Sequence, residues 1–97
     1  MTIRQLVFSK RDQILKIASK HGAVNVRVFG SVARGEDSVD SDVDLLVDIG
    51  FQTSAWFPAG LVLDLESLLN RHVDVVTEKG LNPYLRDQIL REAIPLS

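Results

Sequence analysis

The sequence contains no cysteine, which excludes disulfide bridges, thiolate metal sites and a cysteine nucleophile. It contains no run of basic residues, and its formal net charge is −2. Because binding to a phosphate backbone usually needs a basic face, we expect no direct contact with nucleic acid. No apolar run approaches the roughly 20 residues of a membrane span, and no apolar signal segment stands at the N-terminus. We therefore expect a cytoplasmic protein without membrane contact.

The length and the hydrophobic periodicity indicate one small domain over residues 1–97, with a single core. The pattern predicts helices over 2–21, 61–71 and 82–94 and strands over 23–30, 42–49 and 72–77. Val24, Val26 and Val28 should face inward in the first strand. This order predicts an α/β (α+β) fold in which helices cover a small sheet.

Several local signals set the expected helix ends. Thr2 with Gln5, and Ser9 with Asp12, have the spacing of capping boxes, so a kink near Ser9 is left open. Gly22 is expected to end the first helix.

The segment over residues 28–48 is acidic, and one explanation is a calcium-binding EF-hand loop. With Asp40 at its first position, the loop would need Gly at the sixth position and Glu at the twelfth. The sequence has Leu45 and Phe51 there. An EF-hand is excluded.

A P-loop is a second explanation for the same segment. Gly30 and Gly35 have the correct spacing after a strand, but Lys and Ser or Thr should follow. Glu36 and Asp37 stand there instead, which reverses the charge. A P-loop is excluded as well.

Alternation along the second strand provides the third explanation. Asp42 and Asp44 are two residues apart, so their side chains project from the same face, roughly 6 to 7 Å apart. Two such carboxylates repel each other unless a cation lies between them, and oxygen ligands suit Mg²⁺. Asp74 interrupts the apolar third strand and would complete a three-carboxylate cluster if the two strands are neighbours. Such a cluster is what a two-metal phosphoryl-transfer site requires.

Gly30 and Ser31 could form the phosphate end of this site. Glycine at a strand end lets the backbone approach a phosphate closely, and Ser31 adds a hydroxyl donor. Arg34 lies three residues further on and either meets phosphate or pairs with a nearby acid.

Gly30-Ser31, ten further residues, Asp42-Val43-Asp44 and then Asp74 in "VDVV" together resemble the minimal nucleotidyltransferases of the DNA polymerase β superfamily. "GSVARGEDSVDSDVDLLV" is close to the family signature throughout. "LDLESLLNRHVDVVTEKGLNPYLRDQILREAI" resembles its downstream half. No departure is visible at the five central positions.

The resemblance implies a mixed sheet covered by helices, the polymerase β-like nucleotidyltransferase fold. Asp42 and Asp44 would bind two Mg²⁺ ions, Asp74 would hold the ion nearest the attacking hydroxyl and help to activate it, and Gly30 and Ser31 would hold the triphosphate. The reaction would transfer AMP from ATP, releasing pyrophosphate.

The resemblance also implies a partner. Family members of this size, including the MntA-like antitoxins, are commonly encoded beside a HEPN-domain ribonuclease toxin, which they bind and adenylylate on a tyrosine. The alternative is an antitoxin that neutralises its partner by contact alone. A third reading is a small-molecule nucleotidyltransferase that works as an oligomer; homo- or hetero-oligomerisation is left open.

The remaining polar and aromatic residues are expected to be structural. We expect solvated loop or strand-end charges without a direct role at Glu36, Asp37, Asp40 and Asp48. His21 and His72 have no metal partner nearby in sequence. Tyr84 should pack along the last helix. Trp56 and Phe57 either cap the sheet or the first helix, or line a partner surface or nucleotide pocket.

Overall fold

The computed structural model describes all 97 residues. Its helices are α1 (Ile3–Ser9), α2 (Arg11–Lys20), α3 (Gly30–Arg34), α4 (Ala59–Leu69) and α5 (Pro83–Glu92), with a 3₁₀ turn at Glu78–Gly80. Its strands are β1 (Ala23–Phe29), β2 (Val43–Ile49), β3 (Val73–Val76) and β4 (Ile94–Pro95). They form one sheet in the order β3-β2-β1-β4, in which only β2 and β3 are parallel. The predicted mixed sheet with covering helices is confirmed. None of the helices is both long and apolar enough to cross a membrane.

The predicted first helix is two helices. The capping box at Thr2 is confirmed, because the Gln5 backbone N–H donates to Thr2 Oγ1 at 3.0 Å and the Thr2 N–H donates to Gln5 Oε1 at 2.8 Å. The second capping box is wrong, since the Ser9 hydroxyl instead donates to the Leu6 carbonyl at 2.7 Å. Lys10 separates α1 from α2, so the kink considered near Ser9 is a complete break.

Strand β1 departs from strict alternation at its start. Val26 and Val28 are buried as predicted, but Val24 is exposed. Asn25 has φ +51°, and the register with β2 shifts between Val24 and Arg27. This bulge inserts one residue without a cross-strand partner, so the alternation restarts after it and the prediction for Val24 is wrong.

The core lies between one face of the sheet and helices α1, α2 and α4. Those helices pack their apolar stripes on the inward residues of the strands, as their periodicity predicts. The buried side chains of this core include Ile3, Val7, Ile14, Ala18, Val26, Val28, Val43, Leu45, Val47, Leu61, Leu65, Leu69 and Val73.

The C-terminal end differs from the sequence prediction. Asn82 caps α5 as expected, accepting the Tyr84 N–H at 2.9 Å, but the helix ends at Glu92 rather than at residue 94. Pro95 disfavours a helical conformation at Ile94, and the chain instead turns into β4 beside β1. The side chain of Tyr84 is 95% exposed, so its predicted packing along the helix is wrong.

His21 is structural, as predicted. Its buried imidazole contacts Ser54 Oγ and Asp64 Oδ2, each at 2.7 Å, and so joins the end of α2 to α4. The hydrogen bond from His21 holds the pKa of the Asp64 carboxyl below its usual value.

Candidate active site

The parallel pairing of β2 with β3 brings two of the predicted carboxylates side by side. Asp44 and Asp74 are direct register partners, while Val43 pairs with Val73 and Leu45 with Val75. Asp42 precedes Asp44 by two residues and therefore projects to the same side of the sheet. Because the neighbouring valines and leucine face the core, the acids face away from it.

The electrostatics of Asp44 show how close these charges are. Burial, followed by the negative charges of Asp74 and Asp42, raises the pKa of the Asp44 carboxyl from 3.8 to about 6. Arg34 opposes this rise and Glu92 adds to it. The half-buried carboxylate of Asp44 is therefore held at the centre of an acidic group without a sufficient counter-charge.

Gly30 packs directly against this centre. Its φ is +73°, a conformation that side chains rarely adopt, and a Cβ atom at this position would overlap the Asp44 carboxylate. Ser31 follows it as the second residue of α3. The predicted phosphate end and the predicted carboxylate end thus meet at one place, and only glycine fits the junction.

Arg34 is engaged by two carboxylates. Its Nε donates to Glu36 at 3.0 Å, and its Nη1 donates to both oxygens of Glu92 at 3.2 Å. Hydrogen bonds to Glu36 and then Glu92 raise the pKa of the guanidinium. Of the two sequence-based readings, this structure contains the ion pairs; the phosphate contact stays a prediction.

Glu92 is a site neighbour that sequence reasoning missed. Its side chain is only 14% exposed, and its Oε1 accepts the Gly30 backbone N–H at 3.0 Å. Glu92 is 62 residues from Gly30 in the chain and follows no local pattern that points to the site. It fastens the end of α5 to the start of α3.

His72 is the second missed neighbour of the site, although its role as a metal ligand is not tested by its position. Ligand atoms of Asp42, His72 and Asp74 lie within 4.8 Å of one another. Nδ1 of His72 is 2.9 Å from Glu66, and Nε2 is 3.7 Å from Asp74. The signal was available, because His72 stands two residues before Asp74 as Asp42 stands two before Asp44.

The other aspartates of the acidic segment have separate positions. Asp37 accepts the backbone N–H of Ile3 at 3.0 Å and so stabilises the start of α1. Asp48 accepts from Arg27 at 2.9 Å on the neighbouring strand. Asp40 is exposed. As expected, Asp37 and Asp40 are loop charges and Asp48 is a strand-end charge, but Asp37 and Asp48 also accept hydrogen bonds.

The neighbouring aromatic residues Trp56 and Phe57 differ in burial. Phe57 packs against the core, which is the capping role. Trp56 is 86% exposed and covers nothing in this chain.

The donor set fits a hard divalent cation. Asp42, Asp44 and Asp74 offer only oxygen ligands, which Mg²⁺ prefers. Burial and then the charges of Asp74 and Asp42 raise the pKa of Asp44, and a cation among the three acids would offset the repulsion between them. His72 adds a nitrogen donor at the exposed edge of the group.

The model of the nucleotidyltransferase domain family matches residues 11–96, a span that contains all of these residues. The chain belongs to this family. It is therefore a nucleotidyltransferase, and family membership implies a nucleoside triphosphate substrate and a divalent metal ion.

Two relatives match this nucleotidyltransferase over most of their length. A predicted protein adenylyltransferase of Methanocaldococcus jannaschii is 40% identical over 84 residues, which cover 87% of this chain and 90% of the relative. The protein adenylyltransferase MntA of Thermococcus cleftensis is 37% identical over 79 residues, covering 81% and 80% of the two chains.

Solved structures show the same fold. One, described as a minimal nucleotidyltransferase, is 52% identical with a TM-score of 0.82 and covers 98% of this chain and 96% of its own. The complex of an MNT antitoxin with the tri-AMPylated HEPN toxin of Shewanella oneidensis is similar with a TM-score of 0.63. That match is 22% identical and covers 97% of this chain and 71% of the other, so it shows the fold alone.

Proposed function

We propose that this nucleotidyltransferase transfers AMP from ATP to a protein, and that it does so with two Mg²⁺ ions as an antitoxin acting on a tyrosine of a HEPN ribonuclease toxin. The observation that carries the proposal is the junction of the Gly30 turn with Asp44. It unites a place for close approach of phosphate with a carboxylate group suited to divalent cations.

The residues of the site divide into cation ligands and triphosphate-binding groups. Asp42, Asp44 and Asp74 hold the cations, and the Gly30 backbone and the Ser31 hydroxyl hold the triphosphate. Bound Mg²⁺ would neutralise charge on the phosphates and would favour ionisation of an attacking hydroxyl. The acceptor oxygen then bonds to the α-phosphorus, the bond to the β-phosphate oxygen breaks, and pyrophosphate leaves.

The exposure of the site supports a macromolecular acceptor. The side chain of Asp74 is 55% exposed, and Asp42 is also exposed. The acceptor's hydroxyl can therefore reach the acids from solvent while it is still attached to a folded protein. Exposed Trp56 and Tyr84 offer apolar area for a partner beyond the site itself.

The relatives support the choice of AMP and of a protein acceptor. Both sequence relatives bear the name of protein adenylyltransferases. The structural neighbour from Shewanella was solved with an AMPylated HEPN toxin, which supports a HEPN protein as the partner to test.

The test is a labelling reaction with Mg²⁺, α-labelled ATP and the product of the gene adjacent to the one that encodes this chain. We expect label on a tyrosine of the partner, a mass increase of whole AMP units, and no labelling in EDTA. Asp42→Asn and Asp44→Asn should each abolish labelling. Asp40→Asn, a neighbouring acid outside the site, should label as the wild type does.

Two further results bear on the proposal. ATP should raise the Tm of the wild type only when a divalent ion is present, by mass action on the folded state. The protein with both Asp42→Asn and Asp44→Asn provides the second result. If it neutralises the toxin and the wild type transfers no label, the protein is an antitoxin that acts by contact.

A further inference from the structure

His72 lies at the exposed edge of the carboxylate group, where one cation can reach three side chains. The ligand atoms of Asp42, His72 and Asp74 are at most 4.8 Å apart, so a central point lies at most ~2.8 Å from each. Metal bonds to carboxylate oxygen and imidazole nitrogen are roughly 2.0 to 2.2 Å long. Exposed side chains can close that remaining difference by small rotations.

Glu66 orients the imidazole from the opposite side. Its Oε2 accepts the Val73 backbone N–H at 3.0 Å and lies 2.9 Å from His72 Nδ1. Because Nδ1 faces this carboxylate, Nε2 is the ring nitrogen left for a cation. That atom is the one beside Asp74. A carboxylate that fixes the distal nitrogen of a histidine is the usual support of a histidine metal ligand.

We propose that His72 is a third protein ligand, through Nε2, of the cation held by Asp42 and Asp74, and that Glu66 is its positioning residue. The inference rests on the metal site of the proposed function. A site with two carboxylates and one imidazole differs from an all-oxygen site in the ions it selects. Imidazole favours Co²⁺ over Mg²⁺, because Mg²⁺ prefers oxygen and gains little from a nitrogen ligand.

The direct test uses Mn²⁺ and protein labelled with ¹⁵N-histidine, measured by pulsed electron paramagnetic resonance with a non-hydrolysable ATP analogue present. The chain has two histidines, and His21 is buried between Ser54 and Asp64. A ¹⁵N coupling to bound Mn²⁺ therefore belongs to His72. We expect this coupling in the wild type and its loss in His72→Ala.

The second measurement compares affinities. His72→Ala should weaken Co²⁺ binding by about 10-fold or more and Mg²⁺ binding by less than about 3-fold. Free imidazole should restore part of the Co²⁺ affinity. Because the His72 side chain is 62% exposed, the variant should fold, which its circular dichroism spectrum checks.

The outcomes separate this inference from the proposed function. If Mn²⁺ binds without a ¹⁵N coupling, and Asp42→Asn abolishes that binding while His72→Ala does not change it, the metal site stands and the role of His72 is refuted. If the wild type binds no divalent cation even with the nucleotide analogue, the metal site itself is refuted and the role of His72 with it.

Discussion

Removing the charge of Asp44 should stabilise the metal-free protein, although the residue lies at the centre of the site. Burial and the charges of Asp74 and Asp42 raise the pKa of its carboxyl from 3.8 to about 6. The folded state therefore keeps a proton that the unfolded chain has already released. Above pH 6 the group is ionised in both states, and folding bears the full cost of the unfavourable charge. We expect Asp44→Asn to remove that cost.

The magnitude follows from the two pKa values. A difference of about two pH units corresponds to at most ~3 kcal/mol of unfolding free energy. The carboxylate is half-buried, and solvent screening reduces this to about 1 to 2 kcal/mol. The stabilisation should be complete at pH 8, fall to about half at pH 5, and vanish below the unfolded pKa, where both states are protonated.

The assay is urea denaturation of wild type and Asp44→Asn in EDTA at pH 8 and pH 5. The diagnostic quantity is the stability difference between the wild type and Asp44→Asn, compared at pH 8 and at pH 5. Other effects of the substitution do not depend on pH and therefore cancel in this comparison. Asp40→Asn, at an exposed position outside the carboxylate group, should show no such change. Added Mn²⁺ should then stabilise the wild type more than Asp44→Asn, because binding to the folded state adds to its stability.

Two results would refute the electrostatic reasoning. One is a stability difference between wild type and Asp44→Asn that is the same at pH 8 and pH 5. The other is a variant that is less stable than the wild type at pH 8 in EDTA. Either would mean that the three acids do not share an unfavourable field in the folded protein.

Two further substitutions test the contacts around Gly30. Gly30→Ala should cost ~2 to 4 kcal/mol of stability in urea denaturation, because it adds overlap with Asp44 to backbone strain. Gly35→Ala should cost only ~1 kcal/mol, because Gly35 has the same φ of +73° but a Cβ there would make only an ordinary contact with Arg4 at 3.9 Å. Equal costs at the two glycines would contradict the contact. Glu92→Ala should cost ~1 to 3 kcal/mol of stability, because it leaves the Gly30 N–H without its partner. As a control, Glu78→Ala removes an exposed ion pair and should change stability by less than ~0.5 kcal/mol. If Glu92→Ala leaves the stability unchanged, water replaces the carboxylate as the partner of the Gly30 N–H.

Much of the candidate site could be predicted because its signals are local. The alternation of Asp42 and Asp44 depends only on the two-residue period of a strand. In the structure Asp42 is close enough for its charge to raise the pKa of Asp44. Joining Asp74 to them required strand β3 to lie beside β2, which the order of elements suggested and the pairing confirms. His72 follows the same two-residue rule, since it stands two residues before Asp74.

What could not be predicted depends on contacts distant in the chain. Glu92 reaches Gly30 across 62 residues, and nothing near either residue indicates the contact. The bulge at Asn25 is invisible because the valines of β1 alternate without a break in the sequence. Strand β4 is two residues long, too short for periodicity to distinguish it from the end of a helix.

The register of β2 against β3 links the chemistry of the site to the apolar core. A slip of one residue between these strands would turn Asp74 inward and bring Val73 and Val75 out to solvent. The valines that never touch substrate thus set the alignment of the acids, and any misaligned form would also bury a charge and expose apolar area. The core therefore disfavours a one-residue slip, and the register that buries Val73 also holds Asp44 beside Asp74.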